Sequence, residues 1–115
     1  MMDELLDYYD REAICTYNDE KYSVRDNGAV YRHCKEGRRK RKLDEVWSFG
    51  SSAKKEGYLF IGKEPAHRIV ATAFLGPPPL KDFVVDHINT ITSDNRPQNL
   101  SWETRGKNSL MNPNT

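Results

Sequence analysis

The chain has 115 residues, a length that fits one domain or two very small ones and excludes a large α/β enzyme. Its 18 basic and 17 acidic side chains nearly cancel, but residues 1–20 hold seven of the acids and one base, so residues 21–115 carry a net charge of +7. A basic body behind an acidic leader indicates a polyanionic partner, which the overall charge of +1 alone would argue against.

Simple counts exclude several other classes of protein. No apolar run approaches the ~20 residues that span a bilayer, so no membrane partner is expected. The N-terminal Met1-Met2-Asp3-Glu4 lacks the basic-then-apolar layout of a secretory signal. Cys15 and Cys34 are too few for a disulfide framework or a four-thiolate zinc site. We therefore expect a cytoplasmic protein with reduced thiols.

The first half of the chain predicts mainly strands and turns. Residues 3–14 place apolar side chains at roughly helical spacing among acids, which favours a short helix or a frayed segment. Residues 22–24 and 29–32 alternate as strands do, and Asp26-Asn27-Gly28 between them predicts a hairpin turn, since Asn and Gly tolerate positive φ. Two more strands are predicted at residues 46–49 and 57–61.

The second half predicts a helix and then a strand–loop–strand–helix unit. The helix opens at Pro65-Ala66, places Ile69 and Phe74 on its apolar face with two other residues, and ends at the Gly-Pro-rich residues 76–79. Strands are predicted at residues 83–85 and 100–102 around a polar loop, and a last helix begins near Arg105. We assign the core to Ile69, Phe74, Leu100 and Trp102, and the fold class to α+β.

The strand–loop–strand–helix unit concentrates side chains suited to metal-assisted phosphodiester hydrolysis. Asp86 and His87 end its first strand, and Asn99 and Asn108 follow 12 and 21 positions after His87. Carboxylate and amide oxygens are hard ligands that suit Mg²⁺. A histidine titrates near neutral pH and can accept a proton from an attacking water. An asparagine has the donors and the acceptor needed to brace a loop.

These residues resemble the core of HNH homing-type endonucleases. The similarity lies in Val-Asp-His-Ile-Asn at residues 85–89, Asp-Asn-Arg-Pro-Gln-Asn-Leu-Ser-Trp at 94–102 and Lys-Asn at 107–108. Residues 22–31, 57–59 and 66–74 resemble the N-terminal module that often precedes this core in phage and intron-encoded members. The resemblance covers about residues 17–110 and implies a ββα-metal (His-Me finger) core behind a small β-rich module with a helix.

The resemblance divides the chain into four parts. Residues 1–20 would be an acidic leader, helical or frayed, and residues 21–80 the β-rich module with its basic loop and helix. Residues 81–110 would be the nuclease core, and residues 111–115 a frayed tail. The location implied is the cytoplasm of a bacterial or phage-infected cell.

The same resemblance implies a role for each residue of the motif. His87 is similar to the general base that activates water, and Asn99 to the residue that buttresses the loop and orients that histidine. Asp86 and Asn108 are similar to the two ligands of one divalent metal, Mg²⁺ first, with Mn²⁺ or another divalent cation as alternatives. Many members have Asp-Gly where this chain has Asn89-Thr90, so the turn after the histidine must be made differently.

Double-stranded DNA is the expected partner. Five consecutive bases at residues 38–42 give a strong local potential for phosphate, although a solvated basic loop is the alternative. Further bases near the motif could contact the backbone as well. The predicted DNA-binding set is Arg38, Arg39, Lys40, Arg41, Lys42, Arg68, Arg96, Arg105 and Lys107.

Several alternatives stay open. Asp86-His87 could be an ordinary strand end with a turn-capping Asp, and loop bracing is favoured over an active-site role for Asn95. His67 could be buried with a backbone hydrogen bond or could contact phosphate. The predicted function is a metal-dependent endonuclease that nicks one strand per monomer. Its rivals are a non-catalytic DNA-binding module and a structure-specific or RNA nuclease, and monomer or homodimer is undecided.

Overall fold

The structure, a computed structural model, describes residues 5–52 and 57–105. A first antiparallel sheet takes its strands in chain order: β1 (Glu12–Tyr17), β2 (Glu20–Arg25), β3 (Val30–Arg32) and β4 (Trp47–Ser48). A second contains β5 (Ser51–Ser52), β6 (Leu59–Ile61) and β7 (Glu64–Pro65), which leads directly into helix α1 (Ala66–Leu75). A third pairs β8 (Phe83–His87) with β9 (Leu100–Thr104), and a 3-10 turn at Pro97–Asn99 precedes β9. The α+β fold class is confirmed.

Helix α1 supplies the centre of the hydrophobic core. Its buried face includes Ile69 and Val70, which pack with Tyr22, Val24 and Val30 of the first sheet. Ile61 of β6 and Leu100 of β9 complete the cluster, so all three sheets share one core. Of the four predicted core residues, Ile69 and Leu100 are buried, while Phe74 and Trp102 are partly buried against the cluster.

The N-terminal segment differs from its prediction. Residues 12–14, assigned to a short helix, belong to β1, which pairs with β2 in antiparallel register from Glu12↔Arg25 to Tyr17↔Glu20. Exposure alternates along β1, and Asn18 and Asp19 turn the chain with φ of 48° and 64°. Two residues with positive φ match the right-handed twist of a hairpin. Period-two burial therefore overrides the helical spacing, and the first sheet crosses the predicted boundary at residue 20.

The other predicted elements agree with the structure. The strands around residues 22–24 and 29–32 form the predicted hairpin, and the helix begins after Pro65. The two strands around the polar loop also form. Only Arg105 of the predicted last helix lies within the described residues. Within residues 5–52 and 57–105, no helix has the length and apolar character needed to cross a membrane.

Candidate active site

The third sheet places Asp86 and His87 at the end of β8. Asp86 pairs with Ser101 and His87 with Leu100 in the antiparallel register. Successive residues of a strand point to opposite faces, and the two side chains differ accordingly. His87 is 7% exposed, while Asp86 is half-buried. The residues after His87 form the loop that returns to β9.

Asn99 braces this loop from the start of β9. Its Nδ2 donates to Asn89 Oδ1 and to the Asp94 carbonyl, both at 2.9 Å, and its Oδ1 accepts from Asn89 N at 2.9 Å. Thr90, at the position where the resemblance implies a glycine in many members, adopts φ of 64°, in the left-handed region that favours glycine. The loop thus keeps its turn without the glycine. The bracing predicted for Asn99 agrees with these contacts, while its catalytic assignment stays a prediction.

Asn95, rather than Asn99, hydrogen-bonds the ring of His87. The Nε2 atom of His87 lies 2.8 Å from Asn95 Oδ1, and both residues are buried. An amide oxygen can only accept, so Nε2 carries the proton and Nδ1 keeps a free lone pair. Nδ1 makes no hydrogen bond within the described part of the chain. Loop bracing was favoured for Asn95 from sequence, but the residue also fixes the tautomer of His87.

Two further rings contact His87. His67, in the first turn of α1, meets it edge-on with the ring centroids 5.2 Å apart. Tyr58, just before β6, lies 6.0 Å from His87 and 5.4 Å from His67. Burial, together with the neighbouring His87 and Arg68, lowers the pKa of His67 to about 4. His67 is therefore neutral at pH 7.

Two glycines let the N-terminal half of the chain approach this loop. A Cβ at Gly28, in the turn between β2 and β3, would lie 3.2 Å from the carbonyl carbon of Asn95. A Cβ at Gly57 would lie 3.0 Å from Thr92 Oγ1. Their φ angles of 93° and 80° also favour glycine. Segments upstream of α1 thus approach this loop at two places, Asn95 and Thr92.

The Asp86 carboxylate fits a divalent cation. It makes no hydrogen bond or ion pair with the described residues, although it is half-buried beside His87. A partly buried carboxylate without a protein partner is available to a hard cation. Within residues 5–52 and 57–105, no cluster of three or more His, Cys, Asp or Glu side chains could hold a metal ion. The predicted second ligand, Asn108, lies outside the described residues, as does Lys107.

The predicted DNA-binding bases fall into two groups. Three are held by the protein itself: Arg41 by Glu20 and Asp44, Arg96 by Asp94, and Arg68 by Tyr17 Oη and the Phe83 carbonyl. The others within the described residues are exposed, and their side chains make no hydrogen bond or ion pair there; they are Arg38, Arg39, Lys40, Lys42 and Arg105.

Acidic partners hold the end of the basic loop in place. Asp44 is buried, pairs with Arg32, and accepts from the backbone N and Nε of Arg41. Burial acts to raise the pKa of Asp44, but the hydrogen bonds from Arg41 and Arg32 outweigh it and lower the pKa to about 2. Arg41 also bonds both carboxylate oxygens of Glu20 at 2.9 Å. The exposed bases of the loop therefore flank Arg41, a side chain that Glu20 and Asp44 hold in place.

Comparison with known proteins supports the resemblance. The HNH endonuclease family model matches residues 64–110. A solved structure concerning DNA binding and cleavage by the HNH homing endonuclease I-HmuI is 27% identical, with a TM-score of 0.49, and the match covers 77% of this chain. The chain spans about half, 49%, of that structure. No protein of curated function matches the chain. Residues 64–110, which contain Asp86, His87 and the loop, are thus similar to the HNH endonuclease family, as the sequence predicted.

Proposed function

We propose that the protein is a metal-dependent DNA endonuclease in which His87 is the general base. The observation that carries the proposal is the hydrogen bond between His87 Nε2 and Asn95 Oδ1. It leaves Nδ1 of His87 as a proton acceptor one residue after Asp86, whose carboxylate has no partner among the described residues, within a segment that matches HNH endonucleases. An ordinary strand end would not require a buried amide to set the tautomer of a histidine.

Each residue of the site has its own role in the proposed hydrolysis. Nδ1 of His87 takes a proton from a water molecule as that water attacks phosphorus in line with the leaving 3′ oxygen. The Asn95 carbonyl dipole faces Nε2–H and stabilises the imidazolium that results. Asn99 keeps the loop in shape through its three hydrogen bonds to Asn89 and Asp94. The products carry 5′-phosphate and 3′-hydroxyl ends.

Asp86 and Asn108 would hold the divalent cation, which when bound supplies positive charge next to the leaving oxygen and the phosphate. Mg²⁺ needs few protein ligands, since it keeps several waters in its coordination shell. Asp86 provides one oxygen ligand at the edge of β8, where it makes no hydrogen bond or ion pair with the described residues. We propose Mg²⁺ as the physiological ion, with Mn²⁺ as a functional substitute.

The exposed bases of the loop at residues 38–42 would bind the DNA backbone. Arg38, Arg39, Lys40 and Lys42 make no ion pair within the described residues, and such side chains bind phosphate without reading sequence. Each monomer has one such site and would cut one strand. Double-strand breaks would then need two successive nicks or a dimer.

A plasmid assay tests the proposal directly. Supercoiled plasmid is incubated with Mg²⁺ or Mn²⁺ and wild type, H87A, D86A or the matched control H33A, with EDTA added in parallel. His33 lies at the end of β3 and bonds Ser23 in the first sheet, so H33A should keep wild-type nicking. We expect nicked circles from wild type, only slow residual nicking from H87A and D86A, and none from the EDTA samples.

Two results would overturn this mechanism. Plasmid binding by wild type without any nicking would favour the non-catalytic DNA-binding module. Equal nicking by H87A and wild type would contradict the role of His87 as the general base. A parallel reaction on single-stranded RNA of matched length separates DNA from RNA as the substrate, and cleavage of RNA alone would contradict a DNA endonuclease.

A further inference from the structure

His67 is a half-buried histidine whose hydrogen bonding is incomplete. Its Nδ1 is fully buried and has no partner within the described residues. The backbone hydrogen bond considered for His67 from sequence is not made at this atom. The contacts that the structure shows for the His67 ring are with the rings of Tyr58 and His87.

The packing of His67 points toward His87. The two rings meet at an interplanar angle of 73°, an edge-to-face contact. Tyr58 contacts both rings, tilted by 51° to His67 and by 56° to His87. Asn95 fixes the Nε2 corner of His87, whereas the flat faces and the far edge of the imidazole need other neighbours. His67 and Tyr58 are ring neighbours of His87, with centroids 5.2 and 6.0 Å from that of His87.

We propose that His67 is a positioning residue for His87. Its ring, backed by Tyr58, holds the imidazole plane of His87 so that Nδ1 faces the attacking water. Turning that ring about its Cβ–Cγ bond would break the bond to Asn95 and move Nδ1 away from the site. This role rests on the proposed function of His87 as general base. It extends the site to α1 and β6, outside the strand–loop–strand unit.

Two substitutions distinguish a role of the His67 ring from a role of its nitrogen atoms. H67F keeps a flat ring and removes both nitrogens, whereas H67A removes the ring. We expect H67A to lower kcat for plasmid nicking about 10-fold with unchanged KM, since an aromatic contact and the alignment it gives are worth roughly this factor. H67F should stay within about 3-fold of wild type, a rescue by the conservative variant. If H67A fails to fold, H67L takes its place, because it fills the space without a flat ring.

NMR of the histidine side chains tests the same contact without any cleavage. The chain has three histidines, so their imidazole nitrogen signals can be assigned by substitution. Wild type and H67F should show His87 as one tautomer with the proton on Nε2, and H67A should show a mixture. Y31A is the matched control, since Tyr31 makes a similar edge contact at 4.9 Å with His33, and it should leave the His87 signal unchanged.

The outcomes keep the two proposals apart. Wild-type protein that does not cut DNA would refute the proposed function, and the NMR comparison would still decide the positioning role. Wild-type kcat in H67A with a single His87 tautomer would overturn that role. Equal impairment of H67F and H67A would also overturn it, because the nitrogens rather than the ring would then be required.

Discussion

Replacing Asn95 by Leu tests the contact that carries the proposed mechanism. Leu keeps a similar volume but removes the acceptor that faces His87 Nε2 at 2.8 Å. The bond lies between side chains of residues that are 3% and 7% exposed, so water cannot readily replace it. A buried donor left unpaired costs about 1–3 kcal/mol. Because Asn95 Nδ2 is itself unpartnered, its removal offsets part of that cost, and N95L should lose no more than about 2 kcal/mol of stability.

The effect of N95L on catalysis should be larger than its effect on folding. Without the acceptor, His87 can protonate either nitrogen and rotate, so only part of the population presents Nδ1 to the water. If the loss of orientation raises the activation free energy by about 1–3 kcal/mol, kcat for nicking falls by a factor between ~5 and ~150, since about 1.36 kcal/mol corresponds to a tenfold change in rate. DNA affinity, measured by fluorescence anisotropy in EDTA, should not change.

A double-mutant cycle with His87 gives the decisive comparison. In the H87A background, N95L should cause no further loss of nicking, since the residue it orients is absent. Denaturation by urea of the four proteins gives the coupling in stability from the same samples. Full kcat in N95L, or an equal loss in both backgrounds, would refute the assignment of Asn95 as the residue that orients the base.

Four further predictions concern the parts around the site. D44N should lower the urea stability by about 3–5 kcal/mol, because it breaks a buried ion pair, while D19N at an exposed pair should change it by less than about 0.5 kcal/mol. The pKa of Asp44 is lowered to about 2, so its stabilisation is present above pH ~4 and lost as the pH falls toward 2; the urea midpoint of wild type should drop over that range more than that of D44N. A variant with glutamine at positions 38, 39, 40 and 42 should bind DNA with a smaller salt slope, reduced by about 0.9 for each phosphate that the loop no longer neutralises. The control R41Q should mainly lower stability, because Arg41 is held by Glu20 and Asp44. An unchanged slope in the glutamine variant would contradict DNA binding by the loop. G28A should lower kcat more than G37A, because both have positive φ but only Gly28 faces Asn95, and equal activities would contradict that packing.

Local signals in the sequence predicted the elements that carry the motif. Strand alternation around the loop and the apolar face of α1 depend on neighbours a few positions away, and both elements form as expected. The N-terminal strand was missed because residues 3–14 have helical spacing, while Glu12–Tyr17 also alternates and is followed by Asn18-Asp19. Pairing with β2 decides between the two patterns, and that pairing is a tertiary contact.

The partners of charged and polar groups could not be predicted from the sequence. A run of five bases predicts a strong potential, but it does not reveal that Arg41 is held by Glu20, 21 positions away, and by Asp44. Likewise, Asn95 and Asn99 are both asparagines near the end of one loop. Only the path of the chain places the first against His87 and the second against Asn89. Tyr58 was predicted only as part of a strand at residues 57–61, and nothing in the sequence indicated its contact with His87.

The contacts of the site extend beyond the segment that the family model matches. The family match begins at residue 64, yet Asn95 is packed by Gly28 and the loop by Gly57. The turn that contains Gly28 is itself held by the N-terminal segment, since Asn27 Nδ2 donates to the carbonyls of Leu5 and Leu6 at 3.0 Å. Asn95 in turn sets the tautomer of His87. The acidic leader, the first sheet and His87 are therefore linked by consecutive contacts, so a fragment that starts at residue 64 would keep Asp86 and His87 but lose the packing of Gly28 against Asn95.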